Sequence, residues 1–251
     1  SGTGRSDLMD VMLMPTTGDL KLNPGSKDKP DEGYRSRFSH DEESASPGYY
    51  KVRLKDYDIM AELTVSPRCG FHRYTFPESK SSHIILDLSH HFSTDSVLFT
   101  SMSRIDSCTI IGERRTKGWG ETGEKYWSEQ QLFFALKVSK AFDLSIVSDK
   151  RFIQEKQASG KNIKAVLDFE TSLNEMVLVK VGISAVSAEN ALQNLSEEIP
   201  HWDFNKTLSE TQSVWEKELS KIKVGAPDKN KTIFYTALYH SLLAPYLYKD
   251  V

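Results

Sequence analysis

The pattern closest to a known chemical motif is a glycine-rich run, GWGETG, which spans Gly118 to Gly123. Its glycines fit the G-x-G-x-x-G spacing with which a dinucleotide site holds a pyrophosphate at the start of a helix. Such a site requires a strand before the run and a helix after it. Residues 131–139, which follow, instead alternate apolar and polar side chains as a strand does. The sequence therefore favours a glycine-rich hairpin loop over a nucleotide site.

The signatures of phosphoryl and acyl transfer are missing from the sequence. Gly160-Lys161 has neither the upstream glycine nor the following Ser or Thr of a P-loop. No G-x-S-x-G run is present to place a nucleophilic serine on a strand-to-helix turn. Among the many carboxylates, Asp7 and Asp10 could line a site, although exposed strand and loop acids are the more usual case. These residues alone define no reaction.

Metal ligands and thiols are sparse. The seven histidines are scattered and show no ligand spacing, so we expect no metal site formed by this chain. Cys69 and Cys108 can pair if the protein is exported, but the sequence favours two buried free thiols. Three N-x-S/T sequons, a pattern that is common by chance, begin at Asn194, Asn205 and Asn230.

Composition excludes two classes of partner. The 251 residues carry a formal net charge of −3, with positive and negative side chains interspersed. No basic stripe is therefore available for nucleic acid. No run of about eighteen apolar residues is present to cross a membrane. Because the first residue is Ser1 rather than Met, the lack of a visible signal peptide does not argue against export.

Short strands separated by turn residues account for most of the chain. Residues 49–54 (YYKVRL) alternate apolar and polar side chains, as expected for a half-buried strand. A strand at residues 10–14 is expected to end at Pro15, and residues 18–47 are expected to form a long polar loop. Because strands do not alternate with helices, we predict a large antiparallel β-sandwich. The other predicted strands are 59–65, 71–76, 83–88, 96–102, 109–112, 131–139, 142–148, 166–169 and 176–185.

The periodicity changes from strand to helix after residue 186. Residues 188–199 place Ala, Leu and Ile on one helical stripe, with Ser187 as N-cap. Residues 204–222 repeat the helical period, and a third helix is predicted to start near Asp228. We therefore expect three regions: a β-sandwich at residues 1–186, a helical linker at residues 187–226 and the first helix of a further domain at residues 227–251.

Several segments occur in an order that is typical of one enzyme family. The chain begins with SGTGRSDLMDVMLMPTTG and continues with SHDEESASPGYYKVRLKDYDIMAELTVSPRCGFHRYTFP from Ser39. Five further segments follow in this order: GWG at Trp119, VGISAVSAENALQNL, IPHWDFNKT, WEKEL and the closing TIFYTALYHSLLAPYLYKDV. Together these segments resemble glycoside hydrolase family 92, the calcium-dependent exo-α-mannosidases. The resemblance extends over nearly the whole chain.

The resemblance implies a two-domain enzyme. A mainly β supersandwich of the galactose-mutarotase-like kind would be followed by linker helices and the first helix of an (α/α)6 barrel, with the active site at the domain junction. It implies removal of terminal α-linked mannose from glycans, with inversion, with calcium distorting the sugar, and with α-1,2 linkages as the expected substrates. In an inverting glycosidase a carboxylic acid protonates the leaving oxygen while a carboxylate about 6.5–9.5 Å away activates water.

The family's general acid, general base and calcium ligands belong to a part of the barrel outside this sequence. We therefore name no catalytic or metal residue, and we expect this chain to be inactive alone. Asp250 matches an acid that follows A-P-x-L in the family and approaches the sugar, so it is the candidate substrate-binding residue; the alternative is a frayed C-terminal acid. The implied partners are mannose-containing glycans and the chain's own catalytic domain, in a periplasmic or extracellular location.

A non-catalytic carbohydrate-binding or interaction module is the alternative class of function. Sandwich domains often bind glycans through loops, and Trp119, Tyr126 and Trp127 could stack on a sugar. The sequence favours the other interpretation of these aromatics, in which they fill the core or a domain interface.

Overall fold

A computed structural model describes residues 10–26, 28–91, 96–117, 129–153, 155–243, 247 and 249–251. These residues form two antiparallel sheets, which are followed by three α-helices. The strands are β1 (Met12–Thr17), β2 (Glu43–Ser46), β3 (Tyr49–Leu54), β4 (Ile59–Val65), β5 (Cys69–Phe76), β6 (Ser79–Asp87), β7 (Ser96–Arg104), β8 (Thr109–Lys117), β9 (Glu129–Val138), β10 (Asp143–Ser148), β11 (Arg151–Ile153), β12 (Gln157–Gly160), β13 (Ile163–Thr171) and β14 (Glu175–Ser184). The helices are α1 (Ala188–Glu198), α2 (Phe204–Leu219) and α3 (Asp228–Ser241).

The two sheets form the predicted sandwich. One has five strands in the order β1-β6-β13-β10-β11, and the other has nine in the order β12-β7-β8-β9-β14-β5-β4-β3-β2. Side chains from both sheets meet in one apolar core, where Leu86 and Leu167 of the small sheet join Phe76 and Phe134 of the large sheet. The mainly β, antiparallel fold class is thus confirmed.

The helices cover the central strands of the large sheet on its second face. On β5 the side chain of Tyr74 points into the sandwich, whereas Phe71 points outward and packs against Leu195 of α1 and Phe204 of α2. This double burial follows from the period of two along a strand. Helix α1 begins after a turn of three residues from the end of β14, and the candidate site lies at this turn.

The structure corrects the prediction for the first strand. β1 continues through Pro15, which lies opposite Ile84 of β6, and ends at Thr17. Proline removes a backbone donor, but β1 is the edge strand of its sheet, where one side makes no ladder bonds. The short strands β2 and β12 were not predicted because their polar sequences carry no apolar alternation, and β11 was not predicted because three residues are too few to show a period.

The polar segment after β1 is anchored to the small sheet by a buried carboxylate. Tyr34 Oη donates a hydrogen bond to Asp87 Oδ2 over 2.9 Å, and Lys164 Nζ donates to the same oxygen over 2.5 Å. Lys164 Nζ also donates to the carbonyl oxygen of Leu22 over 2.8 Å. Residues 18–47, predicted as one loop, also contain two short 3-10 turns and end in β2.

The third helix leaves much of its surface exposed. Trp215 of α2 and Tyr239 of α3 have ring centroids 4.7 Å apart, and Tyr235 Oη donates to the carbonyl oxygen of Ile222 over 2.9 Å. No residue of α3 that the structure describes is buried, and the side chain of Ile233 is 60% exposed. None of the described helices has the length and hydropathy of a membrane span.

Candidate functional site

The carboxylate of Asp250 is held by three side-chain hydrogen bonds at the point where β14 ends and α1 begins. Ser184 Oγ and Asn190 Nδ2 donate to its Oδ2 over 2.9 Å and 2.8 Å. Asn194 Nδ2 donates to its Oδ1 over 2.6 Å. Because an ionised carboxylate offers about four acceptor positions, these bonds from the described residues leave about one position for a ligand hydroxyl.

The local sequence explains why these donors converge. Helix α1 begins after Ser187, whose hydroxyl accepts a hydrogen bond from the backbone N–H of Asn190 as the N-cap. Asn190 and Asn194 are four residues apart and therefore lie on one face of the helix. Ser184 is the last residue of β14, directly before the turn into α1.

The backbone around Asp250 is held as well. Arg68 Nε donates to the carbonyl oxygen of Lys249 over 2.5 Å, and Asn194 Oδ1 accepts from the backbone N–H of Val251 over 3.0 Å. Arg68 is itself fixed by Glu198, because its Nη1 lies 2.5 Å from Glu198 Oε1 and its backbone N–H donates to Oε2 over 3.0 Å. We call Arg68, Ser184, Asn190, Asn194 and Glu198 the Asp250 clasp.

The clasp keeps Asp250 ionised. Burial alone would raise the pKa of this carboxyl, but hydrogen bonds from Asn190, Asn194 and Ser184, with the charge of Arg68, lower the pKa below its ordinary value. An acid with a lowered pKa accepts hydrogen bonds and is a poor proton donor at neutral pH. Asp250 is therefore suited to binding a hydroxyl group rather than to protonating a leaving group.

A cavity of about 500 Å³ opens beside Asp250. Small-molecule sites typically measure about 300–1,000 Å³ and combine apolar walls with a few polar groups. Here Leu247 supplies apolar surface, and Gln130 and His72 supply polar atoms. His72 Nδ1 lies 2.7 Å from Tyr74 Oη, and burial lowers the pKa of His72 to about 4. The imidazole is consequently neutral at physiological pH.

Asp10, expected to be an exposed acid, is buried beside the same cavity. Arg114 Nη1 donates to Asp10 Oδ1 over 2.5 Å, and Gln130 Nε2 donates to Oδ2 over 2.8 Å. Arg114 also donates to the carbonyl oxygen of Leu88 over 3.0 Å. The Asp10–Arg114 pair connects the residues just before β1 with β8 and with the end of β6, so its main effect is to stabilise this end of the sandwich.

The remaining sequence candidates lie outside the described residues. These are Asp7, the glycine-rich run 118–123 and the three aromatics considered for sugar stacking, Trp119, Tyr126 and Trp127. The described residues on either side of the run belong to β8 and β9, which pair antiparallel with Lys117 opposite Glu129. The first described residues after the run thus belong to a strand paired antiparallel with the strand before it, as the hairpin prediction expects.

Sequence reasoning missed the Asp250 clasp. One signal was present, because Asn194 interrupts an apolar helical stripe beside Leu195, and a buried polar residue needs a specific partner. The same asparagine belongs to a sequon, but its side chain is fully enclosed, so it is no accessible glycan acceptor in the fold. Arg68 and Glu198 carry no comparable signal in the sequence.

Family profiles match along nearly the whole chain. The Glycosyl hydrolase family 92 N-terminal domain matches residues 1–184, and the Glycosyl hydrolase family 92 catalytic domain matches residues 190–251. The chain belongs to glycoside hydrolase family 92. The family resemblance identified from the ordered sequence motifs is thus confirmed.

The relatives of this family 92 chain include proteins whose structures have been solved. A family GH92 α-mannosidase from Bacteroides thetaiotaomicron is 39% identical, with a TM-score of 0.93 over 99% of this chain and 34% of its own. Its complex with mannoimidazole gives 39% identity and a TM-score of 0.92 over 100% and 33%. An uncharacterized secreted glycosidase from Arthroderma benhamiae is 29% identical over 98% of this chain and 34% of its own length. The chain therefore spans about a third of the length of these relatives.

No cluster of acidic side chains that could hold calcium is found in the described part of the family 92 chain. Calcium takes about 6–8 oxygen ligands, and no group of three His, Cys, Asp or Glu side chains converges among the described residues. We therefore derive no step through a metal from these residues. Cys69 and Cys108 are free thiols as predicted, but Cys69 is buried whereas Cys108 is partly exposed, so the prediction of two buried thiols is wrong for Cys108. Burial raises the pKa of Cys69 to about 12, so this thiol is protonated and a poor metal ligand.

Proposed function

We propose that the protein to which this chain belongs is a glycosidase that removes terminal α-linked mannose from glycans. The observation that carries the proposal is the match to an α-mannosidase over 99% of the chain at 39% identity and a TM-score of 0.93. That mannosidase has also been solved with mannoimidazole, a compound whose name marks it as mannose-like. We further propose export to the periplasm or outside the cell, which the secreted fungal relative supports.

Within this function Asp250 would bind a hydroxyl group of the mannose. Its carboxylate is ionised, borders a cavity of about 500 Å³ and keeps about one acceptor position beyond the three bonds of the clasp. The lowered pKa speaks against Asp250 as the general acid, which must be protonated at the working pH. The general acid and base would come from outside the described residues.

The finer features rest on the family resemblance alone. We propose inversion of configuration, a requirement for calcium, and preference for α-1,2 linkages. For calcium, the ligands would likewise come from outside the described residues. We also propose that this chain without the rest of its catalytic domain does not release mannose.

The test uses the protein extended to the length of its relatives. We expect mannose release from an aryl α-mannoside and from α-1,2-linked mannobiose in preference to the α-1,3 and α-1,6 isomers. Proton NMR should detect β-mannose first, and EDTA should abolish a rate that calcium restores. Absence of mannose release from all of these substrates would overturn the proposal, and α-mannose appearing first would overturn inversion.

The role of Asp250 is tested by Asp250→Asn against the matched control Asp228→Asn, whose side chain is fully exposed at the start of α3. A hydrogen bond to a charged group contributes about 1.5–3 kcal/mol, so kcat/KM should fall about 10- to 150-fold in the first variant. It should stay within about twofold of the wild type in the control, as is usual for an exposed residue. Equal activities would contradict the assignment.

A further inference from the structure

The buried amide of Asn194 is the side chain that connects the fold to both the carboxylate and the backbone of the Asp250 segment. Asn194 is 0% exposed. Its Nδ2 donates to Ile183 O over 2.9 Å and to Asp250 Oδ1 over 2.6 Å, and its Oδ1 accepts from Val251 N–H over 3.0 Å. Both amide hydrogens and the oxygen are therefore used.

These partners allow one orientation of the amide. Rotating it by 180° would turn its oxygen toward the carbonyl of Ile183 and the carboxylate of Asp250, which are both acceptors, and its NH2 toward a donor. Ile183 belongs to β14, whose ladder bonds to β5 and β9 hold it in the sheet. The sheet thus sets the direction of the amide, and the amide sets the position of Oδ1 of Asp250.

The other side chains of the clasp hold different atoms. Ser184 and Asn190 donate to Oδ2 of Asp250, and Arg68 donates to the backbone carbonyl of Lys249. Among the described residues Asn194 is the side chain that donates to Oδ1, the oxygen with the remaining acceptor position. Binding groups must be held to within about 0.5 Å of the productive geometry by locked neighbours.

We propose that Asn194 is a positioning residue: it fixes the carboxylate of Asp250, through the Ile183 carbonyl behind it, in the place from which that carboxylate binds the substrate. This role rests on the proposed function for its effect on activity. It deepens that function by adding a residue that never touches the sugar.

The test in the whole protein is Asn194→Asp, which keeps the shape of the side chain and places one oxygen where Nδ2 lies. Two carboxylate oxygens would then face each other over about the 2.6 Å of the present bond. Such a pair shares one proton and titrates as a unit. At pH 7.5 we expect KM for an aryl α-mannoside to rise by about tenfold or more while kcat changes less, with recovery toward pH 5 as the shared proton is taken up.

The matched control is Asn174→Asp in the exposed turn before β14, at the opposite end of that strand from Ser184, which makes the same change of charge away from the site. It should show neither the rise in KM nor the recovery at lower pH. A rise in KM that is independent of pH in Asn194→Asp would indicate general damage to the fold and would overturn the proposal.

A readout that needs no activity comes from exchanging the two groups. In the double variant Asn194→Asp with Asp250→Asn, an amide and a carboxylate again face each other, so its thermal midpoint should exceed the value expected from adding the two single changes. Additive midpoints would overturn the inference whether or not the protein cleaves mannosides. If the wild type lacks mannosidase activity but the midpoints are coupled, the positioning contact stands and the proposed function fails.

Should Asn194→Asp alone fail to fold, recovery of folding in the exchanged variant supports the contact. Both variants also place a carboxylate oxygen against the carbonyl of Ile183. If neither folds, the shorter Asn194→Ser is therefore combined with Asp250→Asn, and additive thermal midpoints in that cycle would contradict the contact.

Discussion

Gly182 controls how closely α1 approaches the sheet, and replacing it with alanine should displace the Asp250 clasp. Gly182 lies in β14 opposite Cys69 of β5 and Ala135 of β9. A Cβ at this position would be 2.3 Å from the backbone oxygen of Ala191 and 2.9 Å from Leu195 Cβ. Because the nearest obstacle is backbone, rotation of a side chain cannot relieve the contact.

The size of the effect follows from these distances. Ordinary contact starts at 3.4 Å, so α1 would have to move by 3.4 − 2.3 = 1.1 Å. Overpacking costs about 1–3 kcal/mol, and a clash with backbone places this site near the upper limit. The less flexible unfolded chain of the alanine variant offsets about 0.4–1 kcal/mol of that cost. The free energy of unfolding should therefore fall by about 2 kcal/mol. A shift of this size would also stretch the bonds from Asn190 and Asn194 to Asp250 beyond about 3.2 Å, where hydrogen bonds weaken.

Urea unfolding followed by circular dichroism measures this loss. For an m value of about 3 kcal/mol/M, Gly182→Ala should lower the midpoint by about 0.7 M. The matched control is Gly225→Ala, because nothing lies within 4 Å of a Cβ there. The control should be as stable as the wild type or up to about 1 kcal/mol more stable. Equal midpoints for the two variants would refute the reasoning.

Three further predictions concern buried charges. Arg114→Met removes the guanidinium that compensates buried Asp10 and should lower the free energy of unfolding by about 3–5 kcal/mol in urea titrations. Although burial opposes it, the hydrogen bond to Asp168 raises the pKa of His83 in the folded state. The stabilisation from this group is therefore full below about pH 6.5 and is lost as the pH rises through the folded-state pKa. His83→Gln should lower the free energy of unfolding more at pH 5.5 than at pH 8.5, and equal losses would contradict this. Burial lowers the pKa of Lys180 to about 8 in the folded state. Between about pH 8 and 10.4 the unfolded chain therefore binds more protons at this side chain than the folded chain does. The free energy of unfolding of the wild type relative to Lys180→Met should rise across that pH range, and a constant difference would argue against it.

Most strands and all three helices could be predicted from local sequence patterns. The strand at Tyr49–Leu54 has the predicted bounds, Ser187 is the predicted N-cap, and α3 begins at the predicted Asp228. Alternation with a period of two or 3.6 reports which face of an element is apolar, and that is a property of neighbouring residues. The family could likewise be identified from the sequence, because each of its motifs is a short continuous stretch of residues.

Of the candidate site, sequence reasoning named a single residue. Asp250 came from the family resemblance, whereas the clasp brings it against Arg68, which is distant in sequence, and against Asn194. Asp10 and Arg114 are likewise 104 positions apart, and their pairing buries an acid that local sequence suggests is exposed. Strand order and register place such residues together, and no short stretch of sequence contains that information.

The glycosidase family, most of the strands and the three helices were thus determined by the sequence itself, because composition, period and motifs are properties of short stretches. The division into sheets of five and nine strands, the tolerance of Pro15 on an edge and the anchoring of Asp250 by a buried amide were decided by tertiary structure. In each of these three cases the free energy depends on which distant groups exclude water together and satisfy each other's hydrogen bonds.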